Sequence, residues 1–584
     1  MDIKEIIKSD LNKAFIKCGF DANANVVFSA RPEMCDFQCN DIFALAKKVG
    51  KNPVDVGKLV ADAIEKNNLY SVEFVPPAFI NFKLTDDSYN AIAIDYYKNG
   101  AAPSFRDNKT VYFDYGGANV AKSLHVGHLR SPIIGESLAR LYRLLGNKVI
   151  TDTYLGDWGL QMGLTVAQLE DEGYLEGWFN KGENKTITLD TLNEVYPKAS
   201  SRKKVDEKFK DKADLYTLYI QQQKQPYYDI YKQIRAISIE QIKYYYDQLN
   251  CHFDLWNGES NAEPYTKKMI KMFTDKGLTR ESDGATIVDV ANENENVPTD
   301  KIDAEGNVLY KNPMPPLILK KHNGADIYAT TELATILLRN EKYHPDKIVY
   351  ITDFRQTLHF TQVFRAAKMA GISPENQELQ FIGFGTMNGK DGKAFKTRSG
   401  DTIKLGDIVD LLKEKASEKL KQNGIEDNEK LALQIGVAAM KFGDLINVVG
   451  KDYVFDLDRF TSFEGKTGPY IQYTAVRIKS ILNKFGAKVN GKINITTTEE
   501  RKIVLAVLKL TSSFLTCYKD SSLNSLCLAL YDLCSAYSNF YNNIKILSEP
   551  DENKKQSYLS LSKMVLNAIE LGTNILAMDI PDKM

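Results

Sequence analysis

Apolar residues recur every three to four positions over Ile3 to Cys18, Asp41 to Val49 and Pro53 to Lys66, the period of amphipathic helices. The segments Ser71 to Val75 and Phe79 to Leu84 are strand-like, and the polar run Asn99-Gly100-Ala101-Ala102-Pro103-Ser104 then reads as a linker. These elements outline a first α+β unit over residues 1–105. A different grammar follows: strand Val111 to Tyr115, a loop, helix Gly127 to Leu145, a turn at Gly146-Asn147 and strand Val149 to Tyr154. That is a βαβ unit, whose ligand crevice lies beyond the carboxyl ends of its parallel strands. The pattern resumes much later with strand Lys347 to Thr352, helix Gln356 to Met369 and strand Leu379 to Phe384.

Between the two α/β stretches lies an insertion of about residues 165–320, with a Lys- and Tyr-rich helical segment near 200–250 and a polar, loop-rich stretch from Asn292 to Asn312. After about residue 405 the pattern reads as helix throughout, with amphipathic runs at Asp407 to Leu420, Lys430 to Leu445, Tyr470 to Phe485, Thr498 to Leu515 and Tyr558 to Leu576. Three units follow: 1–105, 106–404 and 405–584, the last opening with a connecting stretch over 405–455. A chain of 584 residues is too long for one core, so several domains agree with its length.

Composition changes this picture little. A net charge of −1 gives no bulk attraction to nucleic acid, so an RNA partner has to be met by local basic patches. The N-terminus lacks the basic and apolar regions of a secretory signal, and no apolar run is long enough to span a bilayer, which points to the cytoplasm. Seven scattered cysteines suit reduced thiols. Cys35 and Cys39, four apart on one expected helix face, lack a second Cys/His pair to complete a zinc site, so no structural metal is expected.

The candidate chemistry begins at the first strand-to-helix junction, Ala118-Asn119-Val120-Ala121-Lys122-Ser123-Leu124-His125-Val126-Gly127-His128. A helix start favours anions through its free N–H groups and dipole, and two histidines three apart on one face can donate to phosphate oxygens. Gly127 permits close approach of a ligand and Lys122 supplies charge. A second basic loop, Gly385 to Gly400, carries Lys390, Lys393, Lys396 and Arg398 among glycines directly after the strand ending at Phe384, the composition of a clamp that closes on a triphosphate.

With those residues in place the chain resembles the arginyl-tRNA synthetases, a family of class I aminoacyl-tRNA synthetases. His125-Val126-Gly127-His128 resembles the class I HIGH signature and Phe395-Lys396-Thr397-Arg398-Ser399-Gly400 the degenerate KMSKS loop. Further matches are Asn119-Val120-Ala121-Lys122, His128-Leu129-Arg130-Ser131, Leu155-Gly156-Asp157-Trp158-Gly159, Gly258-Glu259-Ser260, Tyr328-Ala329-Thr330-Thr331 and Thr467-Gly468-Pro469-Tyr470-Ile471-Gln472-Tyr473. The resemblance extends to Asp36-Phe37-Gln38-Cys39-Asn40, a segment the family is expected to use as an ordinary helix, and to Phe79-Ile80-Asn81-Phe82.

The resemblance implies a Rossmann-type class I synthetase catalytic domain, an appended α+β N-terminal domain that grips the tRNA elbow, and an all-α C-terminal domain that reads the anticodon. It implies a monomer that activates L-arginine with ATP, taken as its Mg2+ complex, and transfers it to the 2′-hydroxyl of the terminal adenosine of tRNA(Arg). By resemblance His125, His128, Lys122, Lys396 and Arg398 are catalytic, and His125, Gly127, His128 and Lys396 meet ATP. Asn119 and Gln356 lie toward the amino-acid end of arginine, and Glu259, Tyr328 and Glu332 toward its side chain, where a planar cation needs carboxylates and an aromatic wall. The family usually has aspartate at the position of Glu332, so its carboxylate reaches one methylene further. Phe79 and Asn81 would meet an unstacked D-loop base, and Tyr473, Arg477 and the terminal Met584 the anticodon loop. The aromatic cluster Tyr537, Phe540 and Tyr541 reads as core. Nucleotidylyltransferases share an H-x-G-H helix start but need neither RNA-binding unit; a non-catalytic RNA-binding relative would have no use for the phosphate clamp.

Overall fold

The structure, a computed structural model, describes residues 2–292, 295, 297–302, 308–311, 314–320, 328–390, 392, 403–426 and 428–584. At the N-terminus, Ile3–Lys17 (α1), Ile42–Val49 (α2) and Pro53–Ala63 (α3) accompany an antiparallel sheet of Val26–Phe28 (β1), Phe37–Cys39 (β2), Tyr70–Val75 (β3) and Phe79–Leu84 (β4) in the order β1-β2-β4-β3. Asp86–Asn99 (α4) follows. The expected helix around Cys35 and Cys39 is corrected here: Phe37, Gln38 and Cys39 pair with Phe82, Asn81 and Ile80. Phe37 and Cys39 are buried and Gln38 half-buried, the alternation of a strand, and the register against β4 outweighs any local helical preference.

The middle of the chain carries a four-stranded parallel sheet of Thr110–Tyr115 (β5), Lys148–Asp152 (β6), Lys347–Asp353 (β12) and Glu378–Phe384 (β13), ordered β13-β12-β5-β6. Arg130–Leu144 (α5) makes the first crossover. Because β6 lies on one side of β5 and β12 on the other, the order reverses at β5, and the crevice opens where the carboxyl ends of β5 and β12 part.

The long excursion between β6 and β12 is built from Leu160–Asp171 (α6), Leu189–Arg202 (α7), Glu207–Gln221 (α8) and Tyr227–Gln248 (α9), then Glu259–Asp275 (α10). A three-stranded antiparallel sheet follows, with Thr279–Ser282 (β7), Ala285–Val288 (β8) and Leu317–Lys320 (β11). The stretch expected to be loop-rich instead holds the antiparallel pair Val297–Ile302 (β9) and Val308–Lys311 (β10); its polar composition hid two strands that are stabilised by pairing with each other. Tyr328–Tyr343 (α11) and Thr357–Ala370 (α12) flank β12.

Downstream, Met387–Asn388 (β14) pairs in parallel with Tyr453–Val454 (β15), so the region after 405 is not purely helical. Leu405–Gln422 (α13), Glu429–Leu445 (α14), Leu457–Phe460 (α15), Gly468–Phe485 (α16), Thr498–Asp520 (α17), Asn524–Asn543 (α18) and Glu552–Ile575 (α19) complete the chain. α18 is not among the separate amphipathic runs, although its region reads as helix; its buried face carries Tyr537, Phe540, Cys527 and Cys534 in the core against α17 and α19. All seven cysteines are free, Cys18 half-buried and the other six buried.

Candidate active site and RNA-facing surfaces

The histidines do not sit on the long helix as expected. Val126–His128 forms one turn of 3-10 helix, and α5 begins only at Arg130. The turn is closed by the imidazoles themselves: the Gly127 N–H donates to His125 Nδ1 at 3.0 Å and the His125 N–H donates to His128 Nδ1 at 3.2 Å. Side chains that serve as reciprocal caps are fixed in register and tautomer. Since each Nδ1 accepts, any proton on the neutral ring lies on Nε2. Burial pushes His128 down to about 3, helped by His125 and Lys122, and burial lowers His125 as well. At neutral pH the pair is therefore two uncharged donors, with ring centroids 4.0 Å apart. Gly127 has a structural reason beyond ligand access: a Cβ there would stand 2.8 Å from the His125 ring.

A cleft of about 570 Å³ opens at the ends of β5 and β12 and brings together Asn119, Gly127, His128, Glu259, Glu332 and Gln356. Glu259 and Glu332, on its acidic side, are half-buried. Burial, Asp157 and a partly offsetting Trp158 N–H set the carboxyl of Glu259, which is pushed up to about 7. Glu332 is raised further from the carboxylate range by burial and Asp114, with Arg339 opposing, and its Oε2 has no hydrogen-bond partner. Asp114 is raised by burial too, although Arg339 Nη2 donates to it at 2.6 Å. Arg339 is fully buried, lies 3.7 Å from Asp152 and has its guanidinium against the rings of Tyr112, Tyr154 and Tyr350. One internal cation thus faces several acids, so the cleft retains unmet demand for a second cation.

Glu259 is placed by residues that sequence reasoning did not single out for it. It is the first residue of α10, and the fully buried Asp157 accepts from the Ser260 N–H at 2.9 Å, Ser260 Oγ at 2.8 Å and Arg235 Nε at 2.6 Å. Arg235 comes from α9, so the insertion holds the helix that presents Glu259. Asn119 is exposed at the cleft and forms an isolated parallel bridge with Gly156, beyond the end of β6 at Asp152. Lys122 does not line the cleft; its Nζ lies 4.7 Å from the centroid of Tyr196 on α7. Tyr154, Asp114, Tyr350 and His359 line the cleft and were missed: Tyr154 adopts φ 41, a turn conformation that periodicity does not announce.

Tyr328 begins α11, but its side chain, with Lys396 and Arg398, lies outside the described residues. Both flanks of the segment carrying Lys396 are described. Gly385 follows β13 directly, and Val126 N donates to Ile403 O at 3.0 Å while Leu405 N donates to Leu124 O at 2.9 Å. The basic segment therefore returns onto the histidine turn itself.

The RNA-facing candidates fall on two surfaces. Phe79 and Asn81 share one face of β4, opposite the core residues Ile80 and Phe82. Asn81 is buried and accepts from Gln38 Nε2 at 2.8 Å, while half-buried Phe79 meets the exposed Phe43 edge-on at 6.2 Å. In the helical region a groove of about 720 Å³ gathers Tyr473, Arg477, Lys484, Tyr541, Lys545 and Met584. Arg477 lies between Tyr473 and Tyr541, 4.7 and 5.1 Å from their centroids. Tyr537 and Phe540 are core as expected, but Tyr541 is half-buried on the groove wall; one residue further round α18, it leaves the packed face.

Comparison with known proteins matches these parts. Family models describe residues 1–84 as "Arginyl tRNA synthetase N terminal domain", 92–457 as "tRNA synthetases class I (R), catalytic domain" and 471–584 as "DALR anticodon binding domain". The arginine–tRNA ligases of Agathobacter rectalis and Alkaliphilus oremlandii are each 39% identical to this chain, across 99% of both sequences in each case. In fold the chain is similar to arginyl-tRNA synthetase of Plasmodium falciparum (TM-score 0.83, 23% identity, 100% of this chain and 99% of the other). It is similar also to that of Thermus thermophilus (TM-score 0.80, 20% identity, all of both chains). With three family models laid end to end along it and full-length relatives at this identity, the chain belongs to the arginyl-tRNA synthetase family.

Proposed function

We infer that this arginine–tRNA ligase seats arginine with its guanidinium at Glu259 and Glu332 and its carboxylate toward the histidine turn, with ATP along Gly127, His125 and His128. The observation that carries this reading is one cleft lined by both unmatched acids and histidine-turn residues. A guanidinium is permanently charged and presents its donors in a plane, so half-buried carboxylates select it over neutral side chains. Tyr328 supplies an aromatic wall, and Asn119 and Gln356 take the amino-acid end. With arginine so held, its carboxylate attacks the α-phosphorus of ATP, pyrophosphate leaves, and the 2′-hydroxyl of the terminal adenosine then displaces AMP from the arginyl adenylate. No covalent enzyme intermediate is required, and the residues act by position and charge.

His125 and His128 act as neutral Nε2–H donors to phosphate oxygens, a role supported by the two Nδ1 acceptors. Lys396 and Arg398 close on the leaving pyrophosphate, with Lys122 adding charge from the opposite side. ATP enters as its Mg2+ complex; among the described residues no cluster of three or more His, Cys, Asp or Glu is placed to hold a metal of its own.

The remaining assignments follow the same reading. Residues 1–105 grip the tRNA elbow through Phe79 and Asn81, 106–404 form the catalytic domain with its insertion at about 165–320, and 405–584 carry the anticodon through Tyr473, Arg477 and Met584, with 405–455 against the acceptor stem. The protein works as a monomer in the cytoplasm, and no helix of the described residues is long and apolar enough to cross a membrane. Arg477→Ala should raise the tRNA KM about tenfold, the size of one lost stacking or cation–π contact, with turnover at saturating tRNA unchanged. Steady-state aminoacylation checks this, and an equal fall in kcat would contradict an anticodon role.

The test of function is pyrophosphate exchange into ATP across a panel of amino acids, with and without tRNA. Exchange with arginine and cognate tRNA together is expected, and none when tRNA is omitted. Exchange driven by lysine or glutamate instead would overturn the substrate assignment.

A further inference from the structure

Arg130, two residues beyond His128, is only 3% exposed and makes no contact with the acids of the cleft. Its Nε donates to Asp444 Oδ2 at 2.9 Å and its Nη2 to Asp444 Oδ1 at 3.3 Å, a two-pronged pair across 314 residues of chain. Its Nη1 donates to the carbonyl of Gly385. Phe384 and Tyr453 flank the guanidinium, with centroids at 5.6 and 5.0 Å, and the Tyr453 hydroxyl donates to Asp444 Oδ2 at 2.8 Å.

Gly385 is where the polypeptide leaves β13 for the basic segment. Its N–H donates to Val449 O at 3.0 Å, and a Cβ on it would stand 2.4 Å from the carbonyl carbon of Lys451, so backbone packs on backbone there. Two residues on, Met387 and Asn388 pair with Tyr453 and Val454. On the return side, Ile403 and Leu405 bond the backbone of Val126 and Leu124. The chain segment that bears Lys396 thus starts on Arg130 and ends on the histidine turn, with both anchors at the N-terminal end of one helix.

We propose that Arg130 is a positioning residue for arginine activation: with Asp444 and Tyr453 it fixes Gly385, where the chain leaves β13, to the N-terminal end of α5 beside the histidine turn. This rests on the proposed role of Lys396. A guanidinium is suited to the task because its fork reaches a carboxylate and a carbonyl at once, which an ammonium cannot do in a plane.

The position predicts a selective defect. Arg130→Lys keeps the charge and loses the fork, so kcat for pyrophosphate exchange should fall at least about tenfold, the effect of a displacement near 1 Å. The arginine KM, the tRNA Kd and the rate of transfer from supplied arginyl adenylate to tRNA should stay within about twofold, since none needs the pyrophosphate clamp. Tyr453→Phe, which removes the hydroxyl that donates to Asp444 Oδ2 at 2.8 Å and lies 3.2 Å from Met387 Sδ on β14, should shift the same parameter in the same direction by less, and it decides the matter if Arg130→Lys does not fold. Lys396→Ala serves as reference. Exchange lost in that variant but unaltered in folded Arg130→Lys, or in Tyr453→Phe where the former fails to fold, overturns the anchoring alone. A uniform loss of exchange and transfer would make Arg130 merely structural and overturns it equally.

Discussion

Replacing Glu259 by glutamine raises the arginine KM by about two to four orders of magnitude, because removing one partner of a desolvated charge pair costs about 3–5 kcal/mol. The change keeps shape and polarity and removes only charge. In the free enzyme burial and Asp157 hold the Glu259 carboxyl near 7, so a large share of it carries a proton at neutral pH that an arriving guanidinium must displace. Arginine binding should release protons, and the wild-type arginine KM should fall as pH rises through about 7. Below that window the KM climbs as the proton competes with arginine. In Glu259→Gln the proton release shrinks, and Glu332, relieved of a neighbouring charge that raises it, titrates at lower pH. Exchange kinetics between pH 5.5 and 8.5 read both effects, and a pH-independent KM in the wild type would sink the account.

The same shift has a stability counterpart with a fixed sign. The folded pKa of Glu259 lies above the ordinary glutamate value of 4.5, so the native state binds the extra proton. Its contribution to stability is fully present below the ordinary value and is lost as pH rises through about 7. Free of arginine, the wild type should therefore lose melting temperature between about pH 4.5 and 7 relative to Glu259→Gln, and arginine should restore it.

How much of this was readable beforehand follows from distance along the chain. The parallel strands and the H-x-G-H turn are local patterns, so their places were legible within a few residues, although the turn proved to be 3-10 and the helix to start at Arg130. The strand Phe37–Cys39 was not legible, since three residues carry too little periodicity and become a strand only by pairing with β4. Likewise no local signal joins Arg235 to Asp157 or Arg130 to Asp444, partners 78 and 314 residues apart. Resemblance nominated Glu259 and Glu332, but the acidic surplus around Arg339 that gives them their chemistry needs coordinates, because it arises from four elements meeting behind one cleft.

His128→Ala should lower kcat for exchange by about 10²–10³, the usual consequence of deleting one preorganised donor from a site of developing charge, with arginine KM and tRNA affinity within about threefold. The alanine removes two things at once: the Nε2–H, the proposed donor to phosphate, and the Nδ1 that accepts from the His125 N–H at 3.2 Å. Two further substitutions separate them. Glutamine places an amide near the Nε2 position and asparagine near Nδ1, so His128→Gln should recover more of the lost turnover if donation to phosphate dominates, and His128→Asn more if the cap does. Donation should dominate, because one capping bond contributes about 1 kcal/mol, far less than the predicted loss. Nor should wild-type kcat show a step from imidazole deprotonation between pH 6 and 8: burial holds His128 at about 3, so the ring is already neutral throughout that range. A step near 6.5 that vanishes in His128→Ala would mean that an imidazolium does the work and that the tautomer fixed by the turn is not the catalytic one.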